Sequence, residues 1–363
     1  MADQTHEPVR GTARGRAPVP LSVLDLVAVG EGHTAGEALR TSARLARLAE
    51  ARGFHRYWVA EHHSMPGIAS SSPAVILAYL ASQTTRIRLG SGGVMLPNHA
   101  PLVVAEQFGT LAAMAPGRVD LGLGRATGTD QVTARALRRA GGAATGDSFP
   151  ADVAELLAFL HDDFPDGHPY RRVHAVPGPV QGPSARRPAV WLLGSSGFSA
   201  RLAGHLGLPF AFAHHFAAHN TIPALDLYRT TFRPSPLLSE PYAIVGVFAF
   251  AAETEERARD QALTGALTTV RFRTGHPGLV PTPEEARSHV FTPREREILA
   301  GWLDNAVYGT PDTVRDRLDA LRKRTDADEL MLASNAHGLR ERVTSLSLIA
   351  DSYGLPYQAP QPA

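Results

Sequence analysis

The sequence predicts an α/β fold, a single-domain (β/α)8 barrel. Short strand-like apolar runs alternate with helix-period patterns along nearly the whole chain, and strands spaced by helices imply a parallel sheet. The units number eight, the count that closes such a sheet on itself. The 363 residues include no cysteine, so one large core, without a disulfide framework, must hold the chain together. An open, doubly wound sheet is the other architecture with this alternation. The barrel is expected over 21–355. Residues 1–20, rich in Arg, Pro and Gly and lacking an apolar run, read as a disordered tail, and 356–363 as a second, short one.

The first unit is LSVLDLV (21–27), followed by a helix whose Leu39, Ala43, Ala46 and Ala49 share a face and which ends at Gly53. RYWVAE (56–61) leads into SSPAVILAYLASQ, with Ser72 as N-cap and Pro73 at the first helical position, where no N–H is needed. IRLGSGGVML (87–96) precedes a helix over 101–114. RVDLGLG (118–124) is followed by a polar insertion, 125–148, and a helix near 150–161. AVWLLG (189–194) feeds a helix starting near Phe198, and PFAFAHH (209–215) feeds one around 222–232. YAIVGVFAFA (242–251) is a long strand, separated by a second insertion, 274–305, from the helix that Thr310 and Pro311 open. DELMLA (328–333) is the eighth strand, closed by a helix within GLRERVTSLSLIADSYG. Insertions after strands lie on the catalytic face of a barrel, so both are expected there as lids. The Pro- and Gly-rich stretch 168–188 is a helix-to-strand connection on the other face.

A formal net charge of +1 with 20% charged residues gives no footprint for nucleic acid or an anionic membrane. No apolar run approaches the roughly 20 residues of a membrane span, and a reducing, cytoplasmic setting is the default expectation. The missing cysteine removes thiolate metal sites, iron–sulfur clusters and cysteine nucleophiles together. Lys323 is the only lysine. It lies near the polar end of a helix whose Val314, Leu318 and Leu321 form one apolar face, so pyridoxal and Schiff-base chemistry lack their amine.

Candidate chemistry collects at the strand C-termini. Backbone N–H groups at Gly194 to Gly197, with the hydroxyls of Ser195 and Ser196, form an anion cradle at a helix N-terminus, or simply a capped loop. The turn is not a Walker A loop, having no Gly-Lys pair, nor a nucleophile elbow, since residue 198 is Phe. LGLGRATG (121–128) has the wrong glycine spacing for a dinucleotide fingerprint. It leaves Arg125 at the mouth, as a salt-bridged rim residue or a bidentate phosphate ligand. The adjacent Gly92 and Gly93 mark a bulge or a close backbone approach to a ligand. WVAEHH (58–63) permits a metal site, structural histidines or proton management by His62. Consecutive strand residues face opposite ways, so His62 and His63 do not chelate together; His214 and His215 share the defect. No third ligand of suitable spacing is evident, and no metal site is expected. His62 is the acid–base candidate, and His63 its packing or hydrogen-bonding neighbour.

Together EHH (61–63), GSGGVMLPNHAP (90–101), GRVDLGLGR (117–125), GSS (194–196) and GTP (309–311) resemble the bacterial luciferase-like, flavin-dependent monooxygenase family over nearly the full chain. The resemblance implies a TIM-type barrel binding reduced FMN at its C-terminal face. It implies His62 as the catalytic histidine, Arg125 and Ser195 on the FMN phosphate, and a non-prolyl cis peptide at Gly92–Gly93 beneath the flavin ring. Phe198 stands where the family carries a further hydroxyl ligand, so backbone contacts at 194–197 would substitute. Dioxygen would be the co-substrate and a small organic molecule the acceptor. With no NAD(P)H module in the chain, a separate NAD(P)H:flavin reductase is the implied partner; a homodimer is the implied assembly. The Arg-rich, Lys-poor composition resembles actinomycete proteins, where relatives tailor polyketide antibiotics such as mensacarcin. Hydride transfer with deazaflavin F420 and a non-catalytic flavin-binding barrel are the alternatives.

Overall fold

In the computed structural model, residues 9–137, 148–182 and 186–359 are described. Eight parallel strands close a barrel: β1 (Leu21–Asp25), β2 (Arg56–Val59), β3 (Arg88–Met95), β4 (Val119–Gly124), β5 (Ala189–Gly194), β6 (Phe210–Ala213), β7 (Ala243–Ala251) and, after a short β8 (Val307–Gly309), β9 (Glu329–Ala333). Closure is made where β9 returns to β1, with Leu330 opposite Leu21, and where β6 meets β7, with Phe210 opposite Ala243. The strand β8 was not expected. Its three residues extend the sheet beyond β9: Val307 pairs with Ala249, whereas β9 pairs with Ile244 to Phe248.

Alternation along the strands divides the core into two layers. On β2, Tyr57 and Val59 join the shell between barrel and helices, while Trp58 points inward with Leu24, Trp191, Ile244 and Met331. Five helices open on a threonine: Thr34, Thr254, Thr282, Thr292 and Thr310 each accept a first-turn N–H through the side chain.

Three strands, β1, β2 and β6, end earlier than their strand-like runs, β2 at Val59. At β1, Asp25 Oδ1 accepts the N–H of Val27 at 2.8 Å, turning that residue to a φ of 53°. At β6, the run breaks after Ala213 and His214–Ala217 form a helical turn, so both histidines sit on helix rather than strand.

The tail expected over 1–20 is packed from Val9 onward. Val9 is buried and its carbonyl accepts from Arg56 Nη2 at 2.8 Å. Arg10 donates to the carbonyls of Glu240 and Pro241, and Arg16 N to Tyr353 O. A strand-poor, arginine-rich composition hides this, because the segment closes the barrel floor through backbone and guanidinium contacts. At the other terminus Gln358 N donates to Ala51 O at 2.7 Å; residues 1–8 and 360–363 lie outside the described residues. No helix among the described residues is long and apolar enough to cross a membrane.

Both insertions lie at the C-terminal face. The first carries Arg125 and a helix over Gln131–Leu137; 138–147 lie outside the described residues. The second folds as two helices, Pro283–Ser288 and Pro293–Asn305. It is tied to the loop after β1 by Glu31 N to Val280 O and Val280 N to Val29 O, both 2.9 Å, and Trp302 packs on Phe248 and Phe250.

Candidate active site

A cavity of about 210 Å³ opens at the C-terminal ends of the strands, its walls largely apolar through Leu24, Leu193, Ala211, Ile244 and Met331. Of the residues singled out from sequence, His62, Gly92, Gly93, Arg125, Gly194, Ser195 and Ser196 all line it. Gly197 does not; it is the first residue of the helix Gly197–Leu206 behind the turn. The second insertion borders this face but contributes no lining residue.

The glycine pair sits at an irregularity of β3, where register with β4 shifts between Ser91 and Val94, and the Gly92–Gly93 peptide is cis. A Cβ on Gly92 would come within 2.7 Å of Leu24 Cδ1, and one on Gly93 within 2.7 Å of Gly122 O. A side chain at Gly93 would strike backbone and one at Gly92 would displace Leu24, and with neither present the cavity meets bare backbone there.

Beyond Val59 the chain leaves the sheet, with His62 N bonded to Ser70 O and His63 N to Gly128 O. The two rings still part company. The His62 ring lines the cavity, its Nδ1 buried with no hydrogen-bond partner among the described residues. Burial lowers its pKa to about 4, the nearby Glu61 charge only partly opposing this, so the ring is neutral at pH 7. The His63 ring turns to Glu61. Glu61 Oε1 accepts from His63 Nε2 at 2.8 Å and from His99 Nε2 at 2.7 Å, and Oε2 accepts Met95 N at 3.1 Å. Burial would raise the Glu61 pKa, but the histidine hydrogen bonds and the Met95 N–H outweigh it and the net shift is downward. Spacing offered no third partner for the EHH pair; the fold supplies His99. Glu61, His63 and His99 keep their donor atoms within 4.8 Å of one another, and the carboxylate is satisfied by three N–H donors.

Opposite His62, the helix Gly197–Leu206 starts without a side-chain cap: Ser196 at the N-cap makes no such hydrogen bond. Its first N–H groups therefore face the mouth unpaired by a capping side chain. Arg125 reaches this helix end, its guanidinium 4.3 Å from the Phe198 ring centroid. The arginine is exposed and forms no ion pair among the described residues. Phe198, standing in place of a hydroxyl ligand, is the surface on which Arg125 rests.

The fold agrees with what the chain is similar to. Residues 19–328 match the family described as luciferase-like monooxygenase. The chain belongs to that family. It is therefore an enzyme of the monooxygenase class, and the relatives cover it almost end to end. It is 46% identical over 335 residues to a luciferase-like monooxygenase of Escherichia coli (strain K12), an alignment spanning 92% of this chain and 96% of that one. The crystal structure of apo-MsnO8 superposes with a TM-score of 0.83 at 36% identity, covering 94% of this chain and 100% of the other. The fold alone extends to the oxygenating constituent of 3,6-diketocamphane monooxygenase of Pseudomonas putida, solved in complex with FMN, at 20% identity, a TM-score of 0.67 and coverage of 94% and 100%.

Three lining or network residues escaped the sequence. Ser199, buried against Gly194, lines the cavity from the first turn of the helix. His215 lines it from the turn after β6. His99 completes the Glu61 network from the loop after β3. A hydroxyl one residue past Phe198, and His215 at the end of a strand-like run, are visible in the sequence; for His99 no spacing signal exists.

Proposed function

We propose that the chain binds reduced FMN at the barrel mouth and uses it with dioxygen to oxygenate a small organic molecule. One observation carries this reading: an uncapped helix N-terminus beside an arginine that has no acid partner among the described residues. Unpaired N–H groups and a free guanidinium are the two parts of a phosphate site. The residues fit the cofactor. Arg125, the Ser195 and Ser196 hydroxyls and the first N–H groups of the helix would hold its phosphate, and the backbone at Gly92 and Gly93 would admit its flat ring.

Bound reduced FMN supplies the electron pair with which dioxygen is activated. The chain contributes the rest. Leu24, Ile244 and Met331 keep water from the reacting groups. His62, neutral at working pH and with an unengaged Nδ1, holds or moves the proton that oxygen transfer requires. Electrons reach the flavin through a separate NAD(P)H:flavin reductase, and polyketide-type molecules are the favoured acceptors. Two copies assemble through the helices Pro73–Ala81 and Pro101–Met114, whose Val75, Tyr79 and Val103 are 70%, 40% and 45% exposed.

Anaerobic titration with reduced FMN, reduced riboflavin and reduced F420, followed by admission of oxygen, tests the reading. Preference for FMN over riboflavin and oxygen uptake from the FMN complex are expected. Hydride transfer from F420 with no oxygen uptake would overturn it.

A further inference from the structure

Within the largely apolar cavity, His215 is a polar group whose hydrogen-bonding sense is fixed by the fold. Its Nδ1 lies 2.9 Å from the carbonyl oxygen of Gly246 on β7. A carbonyl only accepts, so Nδ1 carries the proton. In the neutral ring the lone pair is then on Nε2, which has no hydrogen bond among the described residues. Burial lowers the ring's pKa to about 4, so the neutral form holds at pH 7.

The ring cannot rotate out of this arrangement without breaking its packing. Phe216 lies 4.2 Å away between centroids and Phe248 5.1 Å away, edge-on. A Cβ on Gly246 would stand 3.2 Å from His215 Cε1, a tight contact, so the absent side chain gives the imidazole room beside the carbonyl. His62 and His215 line the same cavity from β2 and β6, and the walls between them are Leu24, Ala211, Ile244 and Met331. An acceptor held in that position favours a donor on the incoming molecule. One without a donor leaves Nε2 desolvated and unpaired.

We propose that His215 is a specificity-determining residue that orients a predominantly apolar substrate by accepting a hydrogen bond from its hydroxyl group. The inference rests on the mouth being the active site, as argued above. A hydroxyl donor bound to Nε2 fixes which edge of the molecule is presented to His62, so recognition and regiochemistry come from one contact. A ketone or ether of the same shape, which can only accept, meets a lone pair instead of a donor.

Calorimetric titration of the chain, with and without saturating FMN, tests this using 2-naphthol and its O-methyl ether as probes. The parent is expected to prefer the naphthol by about tenfold, the scale of one buried hydrogen bond. His215→Phe is expected to remove the preference while keeping affinity for the ether, and His215→Gln, whose amide oxygen accepts, to restore part of it. No preference in the parent, or a preference that survives His215→Phe, overturns the proposal. So does a His215→Phe variant that loses FMN affinity but still discriminates, since the acceptor would then serve the cofactor. If FMN does not bind the parent at all, the cofactor reading fails on its own, and the titrations without FMN still decide the role of His215.

Discussion

Arg56 opens β2 at the barrel floor and Arg125 follows β4 at its mouth. Arg56 is fully buried, its guanidinium bonded to Glu329 through Nε at 2.8 Å, to Asp120 through Nη1 at 2.8 Å and to Val9 O through Nη2. Asp120 also takes Arg88 at 2.7 Å and Trp58 Nε1 at 3.0 Å, and Glu329 takes the Tyr242 hydroxyl at 2.9 Å. Two arginines face two carboxylates, so charge and hydrogen bonds both close. Arg125 is exposed, stacked on Phe198, with no acid among the described residues. The same side chain therefore does two jobs. Saturated with partners, it is architecture; left open beside uncapped N–H groups, it waits for an anion. The histidines repeat the contrast, since His63 is spent on Glu61 while His62 keeps a bare Nδ1.

If the floor is purely structural, breaking it should cost stability and leave the mouth's chemistry intact. Arg56→Ala leaves Glu329 without its cation in a buried site, and such losses run about 3–5 kcal/mol. Chemical denaturation should register that loss, while FMN affinity per folded molecule stays at the parent value. A matching fall in FMN affinity would mean the two ends are coupled. At the mouth the signs reverse. His62→Ala should lower product formation by roughly 10²-fold, as for loss of an acid–base group, with oxygen uptake continuing as peroxide and the denaturation midpoint barely moved. Parent-like ratios of product to peroxide would remove His62 from the chemistry. Arg125→Ala should weaken reduced-FMN binding by about 1.5–3 kcal/mol, the range for a hydrogen bond to a charged group, and riboflavin binding much less. Equal losses for both ligands would place the phosphate elsewhere.

Acid should separate the buried histidines from Asp120 on the pH axis. The lowered His62 pKa, about 4 against 6.5, means the unfolded chain takes the proton first, so stability falls as pH drops from about 6.5 to 4. His55, His214 and His215 shift the same way and share that window. Asp120 is held at about 2 against 3.8, burial being outweighed by Arg88 and Arg56, so its contribution is lost only between about pH 4 and 2. Replacing His62 by Ala should flatten the upper slope, by at most about 1.4 kcal/mol per pH unit; Asp120→Asn should flatten the lower one. Stability curves in which either variant alters the other window would contradict this. The smallest effect belongs to His63→Ala, which removes one of three donors from Glu61 and should cost about 1 kcal/mol, visible by denaturation, with coupling of product to oxygen unchanged.

How much of this the sequence shows depends on the range of the cause. Gly92–Gly93 and the GSSG turn are local signals, and their placement in the mouth follows from strand counting. The eight barrel strands are legible because each spans enough residues to show a pattern. Val307–Gly309 spans three, below the reach of any period. Asp25 ends β1 through a side chain two residues from its partner, inside an apolar run that reads straight on. His99 meets Glu61 across 38 positions, and Val9 meets Arg56 across 47; closure of the barrel, not spacing, makes those neighbours.

The tryptophans offer a different use of this architecture. Of the three in the chain, Trp58 lines the cavity and meets Trp191 edge-on at 5.3 Å between ring centroids, while Trp302 stands apart on the second insertion, 5.3 Å from Phe248. The interior pair is close enough to share excitation, and any chromophore entering the mouth sits next to one of its members. Emission from the unlabelled protein thus becomes an optical gauge of occupancy. Replacing Trp302 by Phe would leave a signal from the interior alone, so that filling and emptying of the barrel could be followed in stopped flow without attaching a dye.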